Sequence, residues 1–408
     1  MPNVTRRVLI GGLAAAPLAR PAIIRAQSTS KPVRIGLLSD MGGPYRDVGG
    51  PGNRVATELA IADFGGSVLD RPIEVMQADD QNKPDVSTSL AREWIDSVGI
   101  DVLADGAASS SGLAVQQVCR EKKKIYLITG PATSEMTGKQ CSPYGIHFSY
   151  DTYGLAHGTG GALTKSGGDS WFFITADYAF GYALEGDTAK AVKAAGGKVL
   201  GSVRAPLGTA DFSSYLVQAQ ASGAKVIGLA NAGTDTQNCV KQAAEFGLTS
   251  SGVKLATLLM QISDVAALGQ KVCAGLNYTD SFYWDMTDKT RAWSKRWAEK
   301  LNADRVPGVL HAGSYCATTH WLKAVKAVGS TDADAVVAQM KAMPINDFYN
   351  TDVKIREDGR VMHQNYLWQV KPASEAKYKF DFCSLVATIK PEDGWRPLSE
   401  GGCPLVKA

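Results

Sequence analysis

The 408 residues carry 43 Lys and Arg against 40 Asp and Glu, and 45% of them are hydrophobic. Such a chain can bury a sizeable core and is long enough for two or three domains. The first 26 residues hold four arginines and no acid; the remainder balances 39 basic against 40 acidic residues, which excludes an electrostatic nucleic-acid binder.

In the N-terminal segment, Arg6 and Arg7 precede a mild apolar run from Val8 to Leu18. This predicts a twin-arginine export signal over 1–26, cleaved near Ala26, and a periplasmic mature protein. The run is too short for a bilayer, which takes about 20 residues, and no other stretch reads as a membrane span. From Val33 onward strands and helices alternate. "VRIGLL" (33–38) reads as a strand, and "GNRVATELAIADF" (52–64) has helical spacing. "PIEVMQADD" reads as a strand, "DVSTSLAREWIDSVG" as a helix capped by Asp85, and "IDVLADG", "SSGLAVQQVCREKK" and "KIYLIT" continue the pattern. A second series starts near Tyr153, with strands "SWFFIT", "GKVLGSVR", "KVIGLA" and "VKLATLL" and helices starting near Gly181, Asp211 and Thr234. Three helical stretches follow between 288 and 343. Strands "NTDVKIREDGRV", with a hairpin turn at Asp358-Gly359, and "QNYLWQVK" end the series. Two such series predict two α/β lobes with parallel sheets covered by helices.

The candidate chemistry sits after strands. "GAASSSG" (106–112) offers three serines where a strand gives way to a helix. They are read either as helix caps, as hydroxyl and N–H donors for a carboxylate, or as a serine nucleophile. The hydrolase reading lacks the first glycine of G-x-S-x-G, and none of the five histidines has a motif around it. "ITGPATSEMT" (128–137) supplies a second small, hydroxyl-rich cradle with Ala132 and Thr133. Tyr178 and Phe180 in "TADYAFGYAL" fall in the loop before a helix and serve as core anchors or as an apolar cleft wall. P-loop, dinucleotide, zinc and EF-hand patterns fail, so no metal or cofactor is expected. Among seven cysteines no CxxC occurs; Cys383 with Cys403, bracketing the tail, and Cys119 with Cys141, bracketing one strand, are the candidate disulfides.

Several segments together resemble the type I periplasmic substrate-binding proteins of branched-chain amino-acid ABC importers, leucine-binding proteins among them. They are "VRIGLLSDMGGPYRDVG", "GAASSSGLA", "YLITGPATSEMTG", "FFITADYAFG" and "VKQAAEFGL". The resemblance spans most of Val33 to Lys371. It implies two doubly wound parallel-sheet lobes joined by a three-strand hinge that closes on a ligand: lobe 1 at 32–151 plus 285–343, lobe 2 at 152–284 plus 344–385, and a tail at 386–408. It implies Ser110 as the carboxylate-gripping serine, with Ser109 and Ser111 as register alternatives, and carries the Ala/Thr pair onto Ala132 and Thr133. Tyr45, Tyr153, Tyr178, Phe180, Asn231 and Gln261 complete the implied ligand set. In amino-acid binders of this type an acid pairs with the ligand ammonium. The matching stretch, Leu258 to Ser263, has Gln261 and no carboxylate. The resulting expectation is a monomeric, non-enzymatic receptor. It delivers an aromatic or other organic acid, or a branched-chain amino acid, to a membrane permease. A ligand-sensing regulator with the same fold and a serine hydrolase are the alternatives.

Overall fold

The computed structural model describes Pro2 and residues 31–407. The expected signal, 1–26, lies outside the described residues apart from Pro2. No helix among those residues is long and apolar enough to cross a membrane.

In the first lobe β1 (Val33–Ser39) leads through a glycine-rich loop to α1 (Gly50–Phe64), followed by β2 (Ser67–Val68), β3 (Arg71–Asp79) and α2 (Pro84–Glu93). Then come β4 (Val102–Asp105), α3 (Ser109–Lys122), β5 (Ile125–Ile128) and β6 (Gly145–His147). The sheet order is β2-β3-β1-β4-β5-β6, parallel except for the β2–β3 hairpin. "VLAD" and "IYLI" are buried throughout, as strands covered on both faces require. The helix expected from Asp85 starts one residue earlier, at Pro84, after an N-cap Lys83 that offers no side-chain hydrogen bond. Proline suits this place because its missing N–H would be unpaired in any case.

The second lobe starts with α4 (Thr152–Leu155) and α5 (Gly161–Lys165). The sequence continues with β7 (Ser170–Ala176), α6 (Ala179–Ala194), β8 (Lys198–Ala205), α7 (Ser213–Ala221), β9 (Val226–Ala230), α8 (Thr234–Glu245) and β10 (Lys254–Thr257). The strands form a parallel sheet in the order β10-β9-β7-β8. Next come α9 (Ile262–Leu268), α10 (Gln270–Cys273) and β11 (Asn277–Asp280).

The chain then returns to the first lobe as α11 (Asp288–Leu301), α12 (Val309–Val328) and α13 (Ala333–Ala342). It remains there longer than expected: Ile345, Ile355 and Val361 share the core of Val33, Ile35 and Val102. Burying these three apolar side chains under the first sheet moves the last crossing past 344. The expected strand over 350–361 is reduced to single bridges, Ile345 to Val353 and Ile355 to Val361, around the Asp358-Gly359 turn. Two further strands, β12 (Asn365–Val370) and β13 (Cys383–Ile389), form an antiparallel sheet with β11. Tyr278, Trp368, Val370 and Cys383 join its core to that of the second lobe.

Both expected disulfides are replaced by one bridge. Cys141 is bonded to Cys403, with Cα atoms 5.6 Å apart, because the tail folds back across the first lobe. Cys119 and Cys383 are buried free thiols. Cys119 packs with Val115, Val118 and Tyr126, and the Cys383 Sγ lies 3.4 Å from the Tyr278 hydroxyl.

Candidate functional site

The loops at the carboxyl ends of both parallel sheets face each other, the usual ligand-binding edge of open α/β sheets. In the first lobe, the buried Asp40 carboxylate accepts the backbone N–H groups of Gly43 at 2.5 Å and Tyr45 at 2.8 Å. This folds the loop over and aims Tyr45 at the cleft. Ser109 Oγ accepts the N–H groups of Ala132 at 3.2 Å and Thr133 at 3.1 Å, tying the two cradles together. In the second lobe, Tyr178 is the residue preceding α6 and Phe180 lies in its first turn, where a loop was expected. Tyr45 and Tyr178 meet across the cleft, hydroxyl to hydroxyl, at 2.5 Å. Nearby, the Thr234 N–H donates to the Pro44 carbonyl at 3.2 Å.

Between these walls lies a cavity. Five of the sequence-predicted residues line it: Tyr45, Ala132, Tyr178, Phe180 and Gln261. The wall also includes Ala232, which the resemblance places near the ligand beside Asn231, and Val48, Ala107, Gly130, Tyr150, Gly233, Leu259, Asp264 and Leu310, which sequence reasoning did not assign to the ligand. Tyr150 follows β6 in the first crossing between lobes, and Leu310 lies on α12, so no strand-to-helix motif marks either. Asp264 stands one residue beyond the segment in which an acid was sought. The other expected residues stand outside the lining. Ser109, Ser110 and Ser111 begin α3, whose N-cap is Ala108 with no side-chain hydrogen bond, so the serines do not cap the helix. Thr133 sits behind Ala132 and accepts the Glu135 N–H. Asn231, just before Ala232, accepts the Thr236 hydroxyl at 2.8 Å. Tyr153 stacks on His157, with ring centroids 3.9 Å apart.

The electrostatics are unusual in having, among the described residues, no lysine or arginine in the lining. Asp264 is the one carboxylate there. Burial pushes its pKa up to about 6 against the lowering effect of its hydrogen bonds. Its oxygens accept the Gln261 N–H at 2.8 Å and the Gln237 side-chain amide at 2.7 Å. Gln261 in turn donates to the Tyr150 hydroxyl at 3.0 Å. Burial also raises the phenols of Tyr45, Tyr150 and Tyr178 above their ordinary range, so all three are neutral near pH 7. What remains for a ligand is a set of neutral donors and acceptors, apolar rings, and the first turn of α3, whose uncapped N–H groups favour an anion. Among the described residues His147, His311, His320 and His363 are buried, and burial lowers the pKa of each. Among the described residues the histidine rings bond to backbone atoms or to Asn350, so none of these bonds joins a histidine to a serine.

Two doubly wound lobes joined by a three-strand hinge, with a cleft between their strand ends, define a type I solute-binding protein. The chain belongs to the periplasmic binding protein family, whose model matches residues 32–377, and within it to the type that serves branched-chain amino-acid ABC importers. This is a family of solute binders. A periplasmic binding protein from Burkholderia mallei is 50% identical, with a TM-score of 0.90 over 92% of this chain and 99% of that one. A branched chain amino acid ABC transporter periplasmic ligand-binding protein from Burkholderia xenovorans is 38% identical, with a TM-score of 0.80 over 91% and 99%. Leu/Ile/Val-binding protein homolog 6 of Brucella melitensis is 27% identical over 355 residues, 85% of this chain and 89% of its own length.

Proposed function

We propose that the protein is the exported receptor of an ABC importer, closing its two lobes on a small carboxylate with an aromatic body and handing it to the membrane permease. One observation carries this reading: the cavity combines four aromatic rings, Tyr45, Tyr150, Tyr178 and Phe180, with no basic side chain among the described residues. The ligand carboxylate docks at the first-lobe backbone donors around the start of α3, where Ser110 stands, and the second lobe covers the ring. Differential affinity for the closed state is the only lever such a protein has. A solute-binding protein of the same fold from Rhodopseudomonas palustris, 22% identical over 88% of this chain, was solved with 3,4-dihydroxy benzoic acid, which supports the ligand class by analogy. The protein acts as a monomer, catalyses no bond change and uses no cofactor.

A branched-chain amino acid is the second reading, and Asp264 favours it, since the cavity does hold one acid for an ammonium. Both oxygens of that acid already accept hydrogen bonds, and an ammonium buried without a full partner costs several kcal/mol. The organic acid is therefore preferred. Calorimetric titration with 4-hydroxybenzoate and with L-leucine tests this. The account expects 4-hydroxybenzoate to bind at least about tenfold more tightly, a difference of about 1.4 kcal/mol. Tighter leucine binding would reverse the ligand assignment, and measurable turnover of either compound would reject the receptor reading.

A further inference from the structure

Behind the first-lobe wall of the cavity lies a buried carboxylate with no cation beside it among the described residues. Asp105 ends β4 and is 2% exposed. Its Oδ2 accepts the Ser39 hydroxyl at 2.5 Å; its Oδ1 accepts the Asn53 amide at 2.6 Å and the Thr129 hydroxyl at 3.3 Å. Asp105 and these partners stand at the bases of the three first-lobe loops that reach the cavity. Ser39 leads into 40–49, with Tyr45 and Val48, and Asn53 anchors the far end of that loop from α1. Asp105 itself leads into 106–111, with Ala107, and Thr129 leads into 129–134, with Gly130 and Ala132. The backbone at Asp105 is left-handed, φ 76°, a conformation that a non-glycine residue holds only when its surroundings fix it. They do so here: the Tyr126 hydroxyl donates to the Asp105 carbonyl at 3.0 Å, and the Gly106 N–H donates to Leu38 O at 2.6 Å.

We propose that Asp105 is a positioning residue for the ligand, its carboxylate clasping all three first-lobe loops from behind, and its charge weakening the hold on an anion in front. The second half rests on the cavity being the ligand site proposed above. Burial raises the Asp105 pKa to about 7 although Ser39, Asn53 and Thr129 lower it; Asp80, from the loop after β3, raises it further. Tyr126 of β5 is the other titratable group coupled to it. Because the folded value lies above the ordinary carboxylate range, the proton stays on below neutral pH, and the buried charge develops as pH rises through about 7. Both states have a partner. Asn53 Oδ1 is buried and without a hydrogen bond, so turning that amide over offers an acceptor to the protonated acid.

The test compares wild type with D105N, which presents an amide N–H to Asn53 and mimics the protonated acid, and D105A, which opens the clasp. Thermal unfolding establishes that each variant is folded. Amide hydrogen exchange of ligand-free protein then reads the loops 40–49, 106–111 and 129–134. Calorimetry with 4-hydroxybenzoate between about pH 5.5 and about pH 8.5 reads the site. D105A is expected to exchange faster in all three loops and to bind about tenfold or more weakly. D105N is expected to recover affinity to within about threefold and to lack the weakening that wild type shows on the alkaline side of about pH 7. Unchanged exchange in folded D105A, an Asn variant as weak as the Ala variant, or a wild-type pH profile in D105N would each overturn the proposal. If D105A does not fold, the D105N profile decides alone. If wild type ignores 4-hydroxybenzoate, the proposed ligand class falls and the exchange comparison decides the clasp.

Discussion

Tyr45 and Tyr178 belong to different lobes, and their hydroxyls meet at 2.5 Å with both rings against the cavity. The contact helps hold the cleft shut while leaving each phenol neutral. Removing one hydroxyl deletes a neutral hydrogen bond, worth about 0.5–1.5 kcal/mol, and keeps the ring. Tyr178→Phe is therefore expected to weaken ligand binding by about two- to tenfold in calorimetry, with little change in the melting temperature. A larger fall in melting temperature than in affinity would mean that Tyr178 serves the core instead. Legibility at this scale follows locality. Tyr178 and Phe180 were readable because each sits just after a strand. Asp264 and Leu310 were not, since only the folded chain brings α9 and α12 to the same cavity. Ser110 was readable as a start-of-helix residue, but not as one standing outside the cavity lining.

At the scale of elements, glycines mark where loops touch. An ideal Cβ on Gly130 would lie 2.0 Å from the Gly106 carbonyl oxygen and 3.2 Å from the Ala107 Cα. That sets the new methyl against backbone, so no side-chain rotation relieves it. Gly130→Ala must spread the two cradles that Ser109 ties together. Its expected cost is about 1–3 kcal/mol in denaturant unfolding, the range for overpacking, with ligand affinity falling by about tenfold or more. Unchanged unfolding and affinity would show that the two loops do not meet as described. Alternation of strand and helix was plain in the sequence because parallel strands buried on both faces are apolar throughout. The start of α3 was harder: three serines suggest capping, yet Ala108 occupies the cap, and local composition does not reveal that Ser109 is instead spent on Ala132 and Thr133.

Across the whole molecule the tail was the least legible part. The pairing of Cys141 with Cys403 closes a sequence separation of 262 residues, and no local pattern foretells which cysteines approach. Its consequence is that the chain end touches both lobes: β13 pairs in the sheet packed on the second lobe, while Cys403 is bonded to the first. Between them the Trp395 ring lies 4.1 Å from the buried Arg360 guanidinium, and Arg396 donates to the Ser134 carbonyl at 2.7 Å. In the proposed receptor, lobes connected in this way open and close by hinge bending, which moves whole domains while preserving their cores. The direct test is small-angle X-ray scattering of the purified protein, with and without saturating 4-hydroxybenzoate, occupancy being verified by calorimetry on the same sample. A smaller radius of gyration in the bound state is the predicted result. An unchanged radius at full occupancy would contradict a receptor that works by closing its lobes.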